Sequence, residues 1–176
     1  MAVTITETAT SVVVSFSGSL NTAASTPGTP TNCPVDDGFL GAEDSCVGPG
    51  GAVLPVDQYN IAGPNNLGLG PGSTPPDVAD SSVGANQFGI SINNPADPLT
   101  FRAVVDVGYL SGTVISGSST FTGASLASLN IGNTGLVGTW TLLDGFGGTA
   151  LTGVGSSITL TVYVQILAFT DAKSKM

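Results

Sequence analysis

The clearest pattern in the chain is an alternation near its C-terminal end. Ile158, Leu160, Val162, Val164 and Ile166 fall on one side of an extended backbone, and Thr159, Thr161, Tyr163 and Gln165 on the other. A period of two marks a strand with one face buried. The same mixture of apolar residues with Thr and Ser, cut by Gly-rich turns, runs from Ser111 to Val164 and makes this stretch the scaffold. At the other end, Val3 to Glu7 and Val12 to Phe16 are β-rich runs separated by Thr8 to Ser11, which predicts a hairpin. Val12, Val14 and Phe16 share its core face, Gly18 marks the exit, and Leu20 adds a last core contact.

Between these ends, Gln58 to Ala62 predicts a short strand with Tyr59 and Ile61 on one face. Gln87 to Ile92, Leu99 to Val107, Thr113 to Phe121 and Val137 to Leu143 predict further strands, the last placing Trp140 as a core anchor. Ala124 to Leu129 is the one place for a single helical or 3₁₀ turn, and Asp144 to Gly148 turns the chain. Two irregular stretches interrupt the series, 21–55 and 63–86, both rich in Pro and Gly, with Pro75-Pro76 forbidding helix and central strand alike. Loops this long usually carry function or a partner contact. The expected fold is therefore all-β: an antiparallel two-sheet sandwich of about seven to nine strands, with a jelly-roll-like order also fitting the pattern. One domain over 1–170 is expected, with a polar tail over 171–176.

Composition narrows the role. Of 176 residues 41% are apolar, enough for a real core, but only 9% are charged. Ordinary soluble domains carry roughly 25%. The shortage of charge and the abundance of Gly, Ser and Thr fit a β protein on a particle or outside a cell. Twelve acidic residues stand against Arg102, Lys173 and Lys175, for a net charge of −9. No basic patch can form, which excludes direct nucleic-acid binding and docking on an anionic membrane. The apolar-rich run Ile158 to Phe169 is too short to span a bilayer. Met1 is followed by AVTITETATSVVVSF, without a basic leader, so the chain is expected either to reach its destination without a secretion signal or to start where one was removed.

Candidate chemistry is sparse. The chain has no His, which removes the usual general base near neutral pH and the commonest metal ligand. No catalytic residue, cofactor or metal is expected. Gly145-Phe146-Gly147-Gly148 lacks the Lys and the helix of a phosphate loop. The only cysteines, Cys33 and Cys46, enclose PVDDGFLGAEDS in the first long loop. A disulfide stapling that loop is expected, contributing roughly 3 kcal/mol in the chain-entropy model, with free thiols as the alternative. Asp36, Asp37, Glu43 and Asp44 between them offer oxygens that a calcium ion takes, but not at EF-hand spacing, so a solvated loop is the expectation. The many Thr and Ser hydroxyls are expected to face solvent from strands; such rows also bind sugars or sit against another subunit.

Four segments resemble the extracellular domain of bacterial proteins that carry the PEP-CTERM sorting signal. TITETATSVVVSFSGSLN resembles that family's opening hairpin, Tyr59-Asn60-Ile61-Ala62-Gly63-Pro64 its short tyrosine strand, Gln87-Phe88-Gly89-Ile90 its Phe-Gly-Ile element, and GYLSGTVISGSSTFTGASLASLNI its most recognisable run. GTWTL and SSITLTV fit its closing strands, so the resemblance covers about residues 3–164. The family's Pro-Glu-Pro motif, membrane helix and basic cluster have no counterpart in FTDAKSKM, no leader is seen, and the cysteine loop is an insertion relative to it. The resemblance implies a secreted or surface β domain and supplies no catalytic residues. Two roles are expected. The first is a non-enzymatic virion protein, such as a decoration or cement protein of a bacteriophage capsid, whose partners are copies of itself and a major capsid protein. The second is a secreted bacterial surface or matrix domain for adhesion or glycan binding.

Overall fold

The computed structural model describes residues 1–28, 31–32, 39–40, 46–47, 55–64, 77–84, 86–92, 101–129, 131–132 and 134–165. Thirteen strands and no helix are found among them: β1 (Ala2–Glu7), β2 (Ser11–Gly18), β3 (Thr31–Asn32), β4 (Phe39–Leu40), β5 (Cys46–Val47), β6 (Pro55–Ala62), β7 (Asp77–Val78), β8 (Ser81–Val83), β9 (Phe88–Ile92), β10 (Phe101–Asp106), β11 (Ile115–Thr122), β12 (Gly135–Leu142) and β13 (Ser157–Val164). The nine strands of three residues or more form one sheet in the order β9-β10-β6-β12-β13-β1-β2-β11-β8. The two-residue strands β5 and β3 add to β9 and β6, and β4 pairs with β7 apart from the sheet.

The all-β expectation holds, but the layering and strand directions differ from a two-sheet antiparallel sandwich. The sheet is mixed, because β1 runs antiparallel to β2 on one edge and parallel to β13 on the other. In that parallel register Val3 lies beside Leu160 and Ile5 beside Val162. The pairing extends past both strand ends: the Met1 amino group donates to the Ser157 carbonyl at 2.9 Å, and the Gln165 N–H donates to the Glu7 carbonyl at 2.9 Å. The sheet is also continuous, because β6 changes partners along its length. Val56 to Asn60 pair with β10, whereas Ile61 and Ala62 pair with β12. One strand thus joins what would otherwise be two layers.

The sheet curls into a half-barrel. Phe16 on β2 and Phe88 on β9 stand six strands apart along it, which in a flat sheet is about 29 Å, yet their ring centroids lie 5.6 Å apart. Burial of apolar area drives this closure. The concave side gathers one cluster: Val3, Ile5, Val12, Val14 and Phe16 from the first hairpin, Phe88, Phe101 and Val105 from the opposite wing, and Trp140, Ile158, Leu160 and Val162 from the last hairpin. Gly117 on β11 is part of the fit, because a Cβ there would stand 2.7 Å from the ring of Phe16. Trp140 is fully buried, and its indole N–H donates to the Pro64 carbonyl at 3.0 Å.

Most strand expectations match, with β6 beginning three residues earlier than Gln58. The expected turn after β11 is a single helical one, in which the Leu129 N–H reaches the Ser125 carbonyl and Ser125 and Ser128 cap each other through their hydroxyls. Val164 is a correction, since it is half exposed and outside the core that Ile158, Leu160 and Val162 join. Ile166 lies outside the described residues. β8 is an addition in a stretch read as irregular; its Ser-Ser-Val sequence is too short and polar to show an apolar face.

Gly117→Ala should push Phe16 off Phe88 and cost about 1–3 kcal/mol. Ser118→Ala, one residue along on the outer face, should stay within about 0.5 kcal/mol. Equilibrium urea unfolding of both variants checks the contrast.

Candidate functional site

The two wings of the half-barrel treat their outer sides differently. On the β6-β10 wing the outer side is covered: Val56 and Val104, which alternate with core residues, are buried, as is Asn60. Part of that cover is the β12-β13 connection, where the Phe146 ring centroid lies 5.7 Å from the Arg102 guanidinium. On the other wing, from β12 through β13, β1, β2 and β11 to β8, the outer side is open. The registers line its side chains up in rows. One row runs Leu136, Thr161, Thr4, Ser15, Ser118, Val83; the next runs Thr139, Thr159, Ala2, Ser17, Ser116; a third runs Tyr163, Thr6, Val13, Thr120, Ser81. Neighbouring rows and strands set these hydroxyls on a grid of about 6.7 by 4.8 Å.

These strands form as they do because Thr, Val and Ile suit a pleated, half-buried surface, with the apolar partner of each pair turned inward. Thr4 and Ser15 share a hydrogen bond of 2.7 Å and Thr139 and Thr159 one of 3.4 Å, both across strand pairs. Glu7 is the only charged residue in the six strands, and its carboxylate accepts from the Leu126 N–H at 3.2 Å at the end of the sheet. In a chain of net charge −9 the side chains of these rows are uncharged, and the Met1 ammonium stands at one end of the seam, beside Ser157.

A second surface is the rim where strands β2, β11 and β13 meet their turns. The segment from Leu20 to Ser25 straps several elements together. Its Leu20 N–H donates to the Tyr109 hydroxyl at 2.9 Å, which itself donates to the Thr113 carbonyl at 2.6 Å. The Asn21 N–H reaches the Gly155 carbonyl, the Ala23 N–H reaches the Ser111 hydroxyl, and the Ser25 hydroxyl reaches the Leu143 carbonyl. Thr22 bonds the hydroxyl of Tyr59 on β6. The turns so held present large apolar side chains to solvent: Leu110 is 75% exposed, Val114 74% and Val154 94%. The Leu110–Val114 turn and the Val154 turn are both tied to this strap, through Tyr109 and Gly155, so their exposed apolar groups stand on one end of the sheet, where such groups suit contact with a partner.

Four aspartates cap backbone groups. Asp57 accepts from the Gly108 N–H at 2.8 Å, Asp80 from the Thr122 N–H, Asp106 from the Gln87 N–H and the Asn86 amide, and Asp144 from the Thr149 N–H at 2.8 Å. No three His, Cys, Asp or Glu side chains gather as a metal site among the described residues. Cys33 and the acidic residues Asp36, Asp37, Glu43 and Asp44 lie outside the described residues, so the Cys33–Cys46 disulfide and the calcium alternative do too. Lys173 and Lys175 are likewise outside. Sequence reasoning missed both surfaces as units: each strand's Thr and Ser alternation was visible, but the register that assembles them was not, and the rim is made by turns brought together from three parts of the chain.

Burial pushes the Tyr59 phenol above its ordinary value, partly opposed by the hydrogen bond with Thr22. The fold thus favours the neutral phenol. Its contribution is complete below about pH 10, the ordinary tyrosine value, and is lost as pH rises through the higher folded value. Urea midpoints measured from about pH 8 to about pH 11 should fall less steeply for Tyr59→Phe than for the unaltered chain. No family model, curated protein or solved structure matches this chain, so the two surfaces themselves are what speak to its role.

Proposed function

We propose that this chain is a non-enzymatic structural protein that coats a larger particle, as a decoration or cement protein coats a bacteriophage capsid. The observation that carries this reading is the rim of Leu110, Val114 and Val154 on turns fixed by the Leu20–Ser25 strap. Because the backbone of these turns is already fixed, docking need not order the turns, and more of the apolar burial counts toward affinity. The aspartates support the same reading, since Asp57, Asp80, Asp106 and Asp144 are occupied with backbone N–H groups and the sequence has no histidine to serve as a base. The low content of charged side chains and the acidic balance suit an exposed coat that stays soluble. Copies of the chain itself and a major capsid protein are the partners, and the virion surface is the location. A secreted bacterial surface or matrix domain is the second reading, favoured by the resemblance to the PEP-CTERM proteins.

The genomic locus separates the two: capsid and portal genes alongside support the coat, and a leader-encoding stretch upstream selects the secreted domain. If the locus is a phage genome, the chain should be a stoichiometric component of particles purified from a lysate of that phage. Leu110→Asp with Val154→Asp should abolish its re-addition to particles stripped of it. Absence from the particles, or unimpaired re-addition of that double variant, would contradict the coat.

A further inference from the structure

We propose that the open outer face of β12, β13, β1, β2, β11 and β8 binds a neutral, linear polysaccharide. The inference does not depend on which particle or cell surface carries the chain, because it concerns a different surface from the docking rim.

Charge decides first. The side chains of its three rows are uncharged within a chain of net charge −9, and the one cation beside them is the Met1 ammonium at the end of the seam. An acidic polymer would be repelled by the whole molecule, and a basic partner would find no carboxylate on the face to pair with. What remains is a neutral partner. Shape decides next. This is the convex side of a half-barrel, and two convex faces of two copies touch along a narrow strip, too little for a stable interface, which needs roughly 800 Å² per partner. A globular protein partner would also need apolar or aromatic anchors at the centre of the contact. In the first row the centre is hydroxyl, with Thr4, Thr161 and Ser15 side by side and Leu136 and Val83 at its two ends; Val13, at the middle of the third row, is half-buried and short.

A polysaccharide chain fits both constraints. It is narrow enough to lie along a row on a convex surface. A Thr or Ser hydroxyl has one donor and two acceptor sites, as a sugar hydroxyl does; the Thr4–Ser15 pair, which shares one hydrogen bond, keeps one donor and three acceptor sites for a sugar that replaces water there. Tyr163, 53% exposed at the margin of the third row, adds an aromatic ring against which the C–H face of a pyranose can stack. Hydrogen bonds of this kind are individually weak, so affinity should accumulate along the chain and rise with the number of sugar units.

The test uses the full chain and immobilised neutral oligosaccharides, cellohexaose, laminarihexaose, mannohexaose and chitohexaose with their disaccharides, and a hyaluronan hexasaccharide as the acidic comparator. At least one neutral hexasaccharide should bind, more tightly than its disaccharide, and hyaluronan should not. Thr4→Val with Thr161→Val keeps the shape and favours strand, and should weaken binding about tenfold or more; Tyr163→Ala should weaken it independently. The rim double variant, expected not to dock on particles, should bind the sugar unchanged, so failure of either surface is told apart from failure of the other. Absence of binding to every neutral hexasaccharide at millimolar concentration would overturn the proposal. So would binding that the face variants leave unaltered, or a change of oligomeric state in those variants, which would assign the face to a second copy.

Discussion

The structure depends on the pairing of its first strand with its last. β1 and β13 lie at the middle of the sheet, and the bond from the Met1 amino group to Ser157 closes a separation of 156 residues. Each strand comes with its own hairpin partner, β2 on one side and β12 on the other, so the parallel seam joins two hairpins that have no other reason to be adjacent. Val3 and Ile5 face the core beside Leu160 and Val162, and burial of these four supplies the energy that holds the seam. Closing a loop of this length costs entropy before any contact repays it, so a late, cooperative joining is the physical expectation.

Once the seam is made, the surfaces follow. The hydroxyl rows cross from β12 and β13 into β1 and β2 without a break only because the parallel register puts Thr4 beside Thr161 and Thr6 beside Tyr163. A slip of one residue would turn Val3 and Ile5 outward and bring the threonines into the core. The same closure brings β2 over β9, where Phe16 meets Phe88, and lets the Leu20–Ser25 strap collect the turns that form the apolar rim. Core, face and rim are three results of one pairing.

How much of this was legible in the sequence follows from range. Local alternation foretold β1, β2, β11, β12 and β13 and the inward side of Val12, Val14, Phe16 and Trp140, because a period of two is written within one strand. The hairpin at Thr8 to Ser11 was legible for the same reason. The parallel direction of β1 against β13 was not, since nothing local distinguishes a strand that will pair with its neighbour from one that will also pair across the whole chain. Nor was the change of partner within β6, where Asn60 pairs with β10 and Ile61 with β12, that turns two expected sheets into one. For the surfaces, the scarcity of charge was visible in composition, but the gathering of uncharged side chains into one face required the registers. Tyr109 carried no signal at all: its hydroxyl bonds Leu20, 89 residues away.

Native-state hydrogen exchange followed residue by residue tests the central role of the seam most directly. The amides of β1 and β13 that bond across the seam should exchange only through global unfolding, with the same free energy and denaturant dependence as the Trp140 region of β12. Exchange of β1 amides through a local opening, while β12, β13 and β11 remain protected, would contradict the account, since it would show the remaining sheet to stand without its first strand.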